Sequence, residues 1–238
     1  MIFDMTKRQG GGGGGYTLND LLDRTIPSGD IVDDRNSAAT YSIAYKTGIT
    51  NLTVSEATEI SDNYCINCSN INSIMLKKAT KLNDSAFAYS KVKYVVAPKL
   101  GWINGNWHFR SNTSLLSVDF GGAPSTHGFN GGATFNGCSV LKTIVLRADA
   151  VWKLNATSIF SSTPFASGGS GGTIYIPKSL YDHLGDGTSL DYKAATNWST
   201  VNGYGTITWK SIESTHTDPD APIDLTLYYA DGTAIPTT

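Results

Sequence analysis

A column of apolar residues recurs down the chain. Leu52, Ile74, Val95, Val118, Ile144 and Ile174 each open an apolar–x–apolar pair, closed by Val54, Leu76, Ala97, Phe120, Leu146 and Ile176. Successive anchors lie 22, 21, 23, 26 and 30 residues apart. Further apolar residues, Ile49, Ile71, Val92, Leu115 and Leu141, stand three positions before the anchors from Leu52 to Ile144. A period of this length predicts a repeat architecture in which each unit buries its apolar face only against its neighbours. The Ile74–Leu76 alternation predicts a short strand with both side chains toward a core. In the same unit Leu82 starts a second buried rung and Phe87 closes the turn. The preceding unit gives Leu52, Val54, Ala57, Ile60 and Cys65 in that order. Later units give Val95, Ala97, Leu100, Ile103 and Phe109, then Val118, Phe120, Ala123 and Phe135.

This order resembles the leucine-rich repeats of the BspA-like type, common on bacterial surface proteins and in phage structural genes. Ala86-Phe87 fits the A-F step of that family's unit. Cys68 to Ile71 and Cys138 to Leu141 fit its C-x-x-L step. The resemblance covers Ala39 to Ile176, with a half-unit, Ala39 to Ile49, opening the stack. It implies a mainly β fold with short helices: a BspA-like leucine-rich-repeat solenoid with an N-terminal extension and a C-terminal cap. The divisions expected are residues 1–36 for attachment, 37–180 for the solenoid, 181–213 for the cap, and 214–238 for a linker and terminal strand. The Gly121–Gly137 and Ser161–Gly172 stretches depart from the pattern and read as loops. The run from Thr173 through Pro177 to Asn197-Trp198 is similar to the closing module of such repeats in phage proteins. Trp198 and Trp209 would cover the open end of the stack, and Cys65, Cys68 and Cys138 fall in core columns.

Outside the repeats, six consecutive glycines, Gly10–Gly15, cannot order themselves. They read as a flexible linker or as a tract gripped by a partner. Leu18, Leu21 and Leu22 would form one face of a helix too short to stand alone, so it should dock on something. The strand-like Leu225–Tyr229 segment ends in an Asp231-Gly232 turn and lacks an adequate partner in sequence. Both ends therefore become candidate attachment segments, with Leu18, Leu21 and Leu22 as the attachment residues.

Composition narrows the chemistry. Eighteen basic and 20 acidic residues, a net charge of −2, are well mixed, so no basic stripe points to nucleic acid. No stretch approaches the roughly 20 apolar residues needed to span a membrane. Cys65 and Cys68 form a C-x-x-C, but their core register and the missing second ligand pair favour buried thiols over zinc; the redox compartment stays open. His108 and His127 read as solvent-facing loop residues, and Asp33-Asp34 as two acids solvating a turn. No catalytic, cofactor-binding or metal-ligating set is expected. Trp102 and Trp107, five residues apart in a turn-rich segment, are the candidate glycan contacts, with packing into the stack as the alternative.

These features together suggest a non-enzymatic virion structural protein, a phage fibre, spike or decoration subunit. It would bind other virion proteins and sister subunits, a trimer being favoured, and a host-surface polysaccharide or protein. The sequence opens on Met1-Ile2-Phe3-Asp4 without a secretory signal pattern, which favours a virion over the alternative, a bacterial cell-surface or secreted adhesin.

Overall fold

In a computed structural model the described residues are 29–35, 42–124 and 128–212. The glycine tract, Leu18, Leu21, Leu22, His127, His216 and Leu225–Tyr229 lie outside them.

The anchor pairs build one large parallel sheet. It runs β1 (Gly29–Asp33), β2 (Ile49–Val54), β4 (Ser73–Leu76), β6 (Tyr94–Ala97), β8 (Ser117–Phe120), β10 (Thr143–Leu146), β11 (Gly172–Pro177) and β12 (Ile207–Ile212). Each anchor sits opposite the next: Leu52, Ile74, Val95, Val118, Ile144 and Ile174 are all cross-strand partners. Side-chain alternation puts each anchor and its second member on one face, and all are buried. A one-residue slip would turn that whole row to the other face, so the period-2 pattern fixes the register.

The second apolar rung makes a smaller parallel sheet: β3 (Glu59–Ile60), β5 (Lys81–Leu82), β7 (Trp102–Ile103) and β9 (Gly128–Phe129). A bridge from Phe129 to Leu154 extends it by one coil. The third side of each coil is a run of turns. It carries left-handed residues at Asn63, Ser85, Trp107 and Ala133, and again at Tyr45, Asn67, Tyr89, Ser111 and Ser162. Six of them, Tyr45, Asn63, Asn67, Ser85, Tyr89 and Ser111, donate their N–H to carbonyls of the next coil, as from Tyr45 to Ile66, Asn67 to Ala88 and Tyr89 to Arg110. Those bonds offset the left-handed strain. The result is a mainly β solenoid with short helices.

Three columns hold the coils together. The first is aromatic: Phe87, Phe109, Phe135 and Phe160 stack at 5.6–5.9 Å with planes 10–14° apart. Tyr64 closes one end edge-on. At the other end Trp198, on α2 (Trp198–Gly203), packs on Phe160 at 5.9 Å. Trp198 Nε1 donates to the Trp152 carbonyl at 2.6 Å, and Trp152 N donates to the Tyr192 hydroxyl at 3.0 Å. Trp209 packs on Trp198 and Tyr192. Buried Trp152 was not anticipated from the sequence, and the cap forms around it. The short α1 (Lys178–Tyr181) follows Pro177, whose missing N–H costs nothing at a helix start.

The second column is an asparagine ladder directly after the smaller sheet. Asn104 donates to Asn83 at 3.2 Å, Asn130 to Asn104 at 3.4 Å, and Asn155 to Asn130 at 2.8 Å. Asn197 of the cap ends it on the Leu154 carbonyl.

The third column begins at Cys68 and continues through Ser90, Asn112, Cys138 and Thr163. Asn112 Nδ2 and Cys138 Sγ reach back to the carbonyls of Phe87 and Phe109, each at 3.0 Å. Ser90 holds the position in the second of these coils. Ser90 is fully buried, and Tyr89 stands one residue earlier with 41% of its surface exposed.

Several expectations need correcting. Cys65 and Cys68 are buried, but they are joined as a disulfide with Cα atoms 5.6 Å apart rather than standing as thiols. Only Cys138 is a free thiol among the three, and burial pushes its pKa up to about 12. Ala123 is exposed, and Gly122 takes the buried place. The Gly121–Gly137 stretch contains β9 rather than being all loop. Its glycines let successive coils touch: a Cβ on Gly131 would lie 1.2 Å from the Gly105 carbonyl oxygen. The stack opens not with Ala39–Ile49 but with β1, which falls inside residues 1–36 and pairs with β2.

Candidate functional site

The buried titratable groups are committed to holding the solenoid. Asp33, fully buried, receives two bonds from Arg35, at 2.8 and 2.6 Å, and one from the Tyr64 hydroxyl at 2.5 Å. Burial pushes its pKa up, but the hydrogen bonds from Arg35 and Tyr64 outweigh that and hold it below the usual value. Asp33 is thus a buried, charge-paired member of the first coil, not an acid solvating a turn.

Asp119 faces away from the core, between the partner positions Val96 and Val145. Arg147 grips it in a two-pronged pair at 2.7 and 2.6 Å. Burial pushes Asp119 up, and the guanidinium offsets only part of that.

His108 is buried, contrary to the solvent-facing expectation. Its Nε2–H donates to the Asn104 carbonyl at 2.7 Å, and desolvation drops its pKa to about 4. It occupies the column of Ala86, the residue before the stacked phenylalanine. His183 pairs with Asp186 on the surface at 2.6 Å, far along the chain in the cap. No group of three or more metal-ligating side chains is gathered among the described residues. No helix there is long and apolar enough to cross a membrane.

The two candidate tryptophans fall on different sides of the coil. Trp102 lies on β7, half-buried, with the Lys81 ammonium 4.6 Å from its ring centre. Lys81 is itself ion-paired to Glu59 at 2.6 Å. Hydrogen bonds from Asn83 first and Lys81 second lower the Glu59 pKa. Trp107 stands on the turn side in a left-handed conformation, with 47% of its surface exposed. The Arg110 guanidinium lies 4.9 Å from the Trp107 ring centre and 5.9 Å from that of Tyr89, one coil away. Both distances are within cation–π range. Tyr45, in the same turn column as Tyr89, is 70% exposed.

The structure therefore joins Trp107 with Arg110 and Tyr89, which sequence reasoning missed, and separates it from Trp102. The signal was present: Arg110 follows Trp107 by three residues across a turn, and Tyr89 is two residues after the preceding stacked phenylalanine. A shallow cleft lies at the cap, lined by Tyr181, Leu184, Lys193, Ile207 and Trp209.

Compared with known proteins, the chain is matched by the family model described as BspA type leucine rich repeat region, in six copies, over residues 31–116 and 58–181. No curated protein and no solved structure matches it.

Proposed function

The chain belongs to the BspA-type leucine-rich repeat family, and on that footing we propose that it is a non-enzymatic surface protein whose solenoid displays a binding face. The setting proposed is a virion, with the chain serving as a fibre, spike or decoration subunit that forms oligomers with sister subunits. One observation carries the display reading: of the four exposed aromatic side chains among the described residues, three stand on a single side of the stack and the fourth, Tyr181, is on the cap. Tyr45, Tyr89 and Trp107 all stand on the turn side, 41–70% exposed, and exposed aromatics gathered on one face suit an interaction surface. The buried acids and histidine support a non-catalytic role, because each is bound to a structural partner.

A specific observation favours a second setting, the bacterial cell surface. The Cys65–Cys68 disulfide suits a chain that works in an oxidising compartment.

Attachment is assigned to residues 1–28 rather than 1–36, since β1 starts at Gly29. Particles assembled with the full chain and with a variant lacking residues 1–28 separate the settings. Incorporation of the full chain and loss of the truncated one supports the virion role. No incorporation of the full chain, with retention on bacterial cells, supports the adhesin role.

A further inference from the structure

The turn side is chemically unlike the rest of the molecule. Its segments, residues 42–48, 63–72, 85–93, 106–117, 131–142 and 156–172, contain Lys46, Lys91, Lys93, Arg110 and Lys142 and no Asp or Glu. The whole chain, by contrast, carries a net charge of −2. The nearest acids in sequence, Asp62 and Asp84, stand at the corner where the smaller sheet ends. The Asp84 carboxylate already accepts the Asn106 backbone N–H.

At the centre of this cationic side is Arg110, lying against Trp107 and Tyr89. Among the described residues no carboxylate pairs with Arg110, and its guanidinium makes no hydrogen bond. This differs from Arg35 and Arg147, each held by a buried aspartate. The two rings flank the guanidinium without using its N–H groups, which remain available to a ligand. A planar fork of donors matches a carboxylate two-prong to two-prong. Exposed indole and phenol surface beside it suits the apolar C–H face of a sugar ring.

We propose that this side binds an acidic polysaccharide whose sugars bear carboxylates. Arg110 takes one carboxylate, Trp107 and Tyr89 pack against the sugar rings, and Lys91 and Lys93 meet neighbouring acidic units. Coils stacked roughly 4.8 Å apart give the chain-like ligand a continuous track. This assignment rests on the display role proposed above and names the ligand class for it.

The test uses the full chain and immobilised polygalacturonate, with neutral dextran and dextran sulfate as comparison matrices. The wild type should bind polygalacturonate and leave dextran unbound. Arg110→Lys keeps the charge but loses the fork, and Trp107→Ala removes the platform. Each should weaken polygalacturonate binding about ten-fold or more. Ala133 already occupies the Trp107 column in the next coil with φ 57°, so alanine fits there. Unchanged urea midpoints will confirm that both variants fold. If Arg110→Lys binds like the wild type, or dextran sulfate is held equally by both, the side is a simple cation exchanger and the assignment fails. Such a failure leaves particle incorporation, measured with the 1–28 deletion, unaffected.

Discussion

Phe109 is the residue on which the aromatic column most depends. It is fully buried and stacked on Phe87 at 5.7 Å and Phe135 at 5.6 Å, with Phe120 at 6.5 Å. Phe109→Ala removes the ring and leaves a cavity that backbone-bonded coils on both sides cannot close. Phe→Ala in a core costs about 3–5 kcal/mol. Two stacked pairs add roughly 0.5–1.5 kcal/mol each beyond area. The expected loss is therefore near the top of that range, about 5 kcal/mol. Phe109→Leu keeps most of the volume and should cost under about 2 kcal/mol. Urea unfolding followed by far-UV circular dichroism and by tryptophan fluorescence measures both. With Trp102 and Trp107, which share the coil of Phe109, replaced by Phe, the remaining Trp152, Trp198 and Trp209 report on the cap end, so a mid-stack lesion should also split the two transitions, as nearest-neighbour coupling requires. A Phe109→Ala variant within about 1 kcal/mol of wild type, with coincident transitions, would refute the column as the organising core.

Four further outcomes follow from particular contacts. Leu76→Asp places an unpaired charge in a fully buried rung and should cost several kcal/mol, roughly 3 or more, by thermal melting; an unchanged melt would sink the repeat register. Asn104→Ala cuts the asparagine ladder between Asn83 and Asn130 and should cost about 1–2 kcal/mol in urea, whereas no measurable change would make the ladder incidental. The folded pKa of His108, about 4 against 6.5, means the unfolded chain takes its proton first. Its contribution is full above pH 6.5 and fades as pH falls toward 4, by about 3 kcal/mol at most. His108→Gln should flatten that slope, and an identical slope in the variant would contradict the buried neutral imidazole. Maleimide labelling should modify no cysteine in the native chain, Cys138 alone after denaturation, and all three after reduction; three labelled thiols without reductant would rule out the disulfide.

The stack was legible because its anchors are redundant. Each pair from Leu52–Val54 to Ile174–Ile176 repeats the same alternation, so one misassigned residue could not hide the period. The strands that escaped notice break that alternation at its second member. In β1, Ile31 pairs with Leu52, but Asp33 stands opposite Val54, its charge paired with Arg35 and its carboxylate accepting the Tyr64 hydroxyl. In β12, Trp209 stands opposite Ile174 and Ser211 opposite Ile176.

Polar residues in core columns misled for the same reason. His108 in the Ala86 column, and Ser90 and Asn112 in the Cys68 column, look solvent-facing by type. They are buried because a backbone carbonyl lies within reach of each. The disulfide could not be read from spacing, since C-x-x-C is equally compatible with two core thiols. The Arg110 cluster depends on contacts between coils, and only the register of the turns brings Tyr89 beside it.

The in-line register of the coils is tested most directly by methyl NOE spectroscopy on Ile, Leu and Val-labelled protein. Every anchor, Leu52, Ile74, Val95, Val118, Ile144 and Ile174, carries such a methyl group. Contacts should run in a single file, each anchor to the next, with none joining Leu52 to Val95 or Ile74 to Val118, which are two coils and roughly 10 Å apart. Cross-peaks that skip a coil, or that pair an anchor with an outward residue of a neighbouring strand, such as Ile74 with Val96 or Val118 with Val145, would contradict the solenoid.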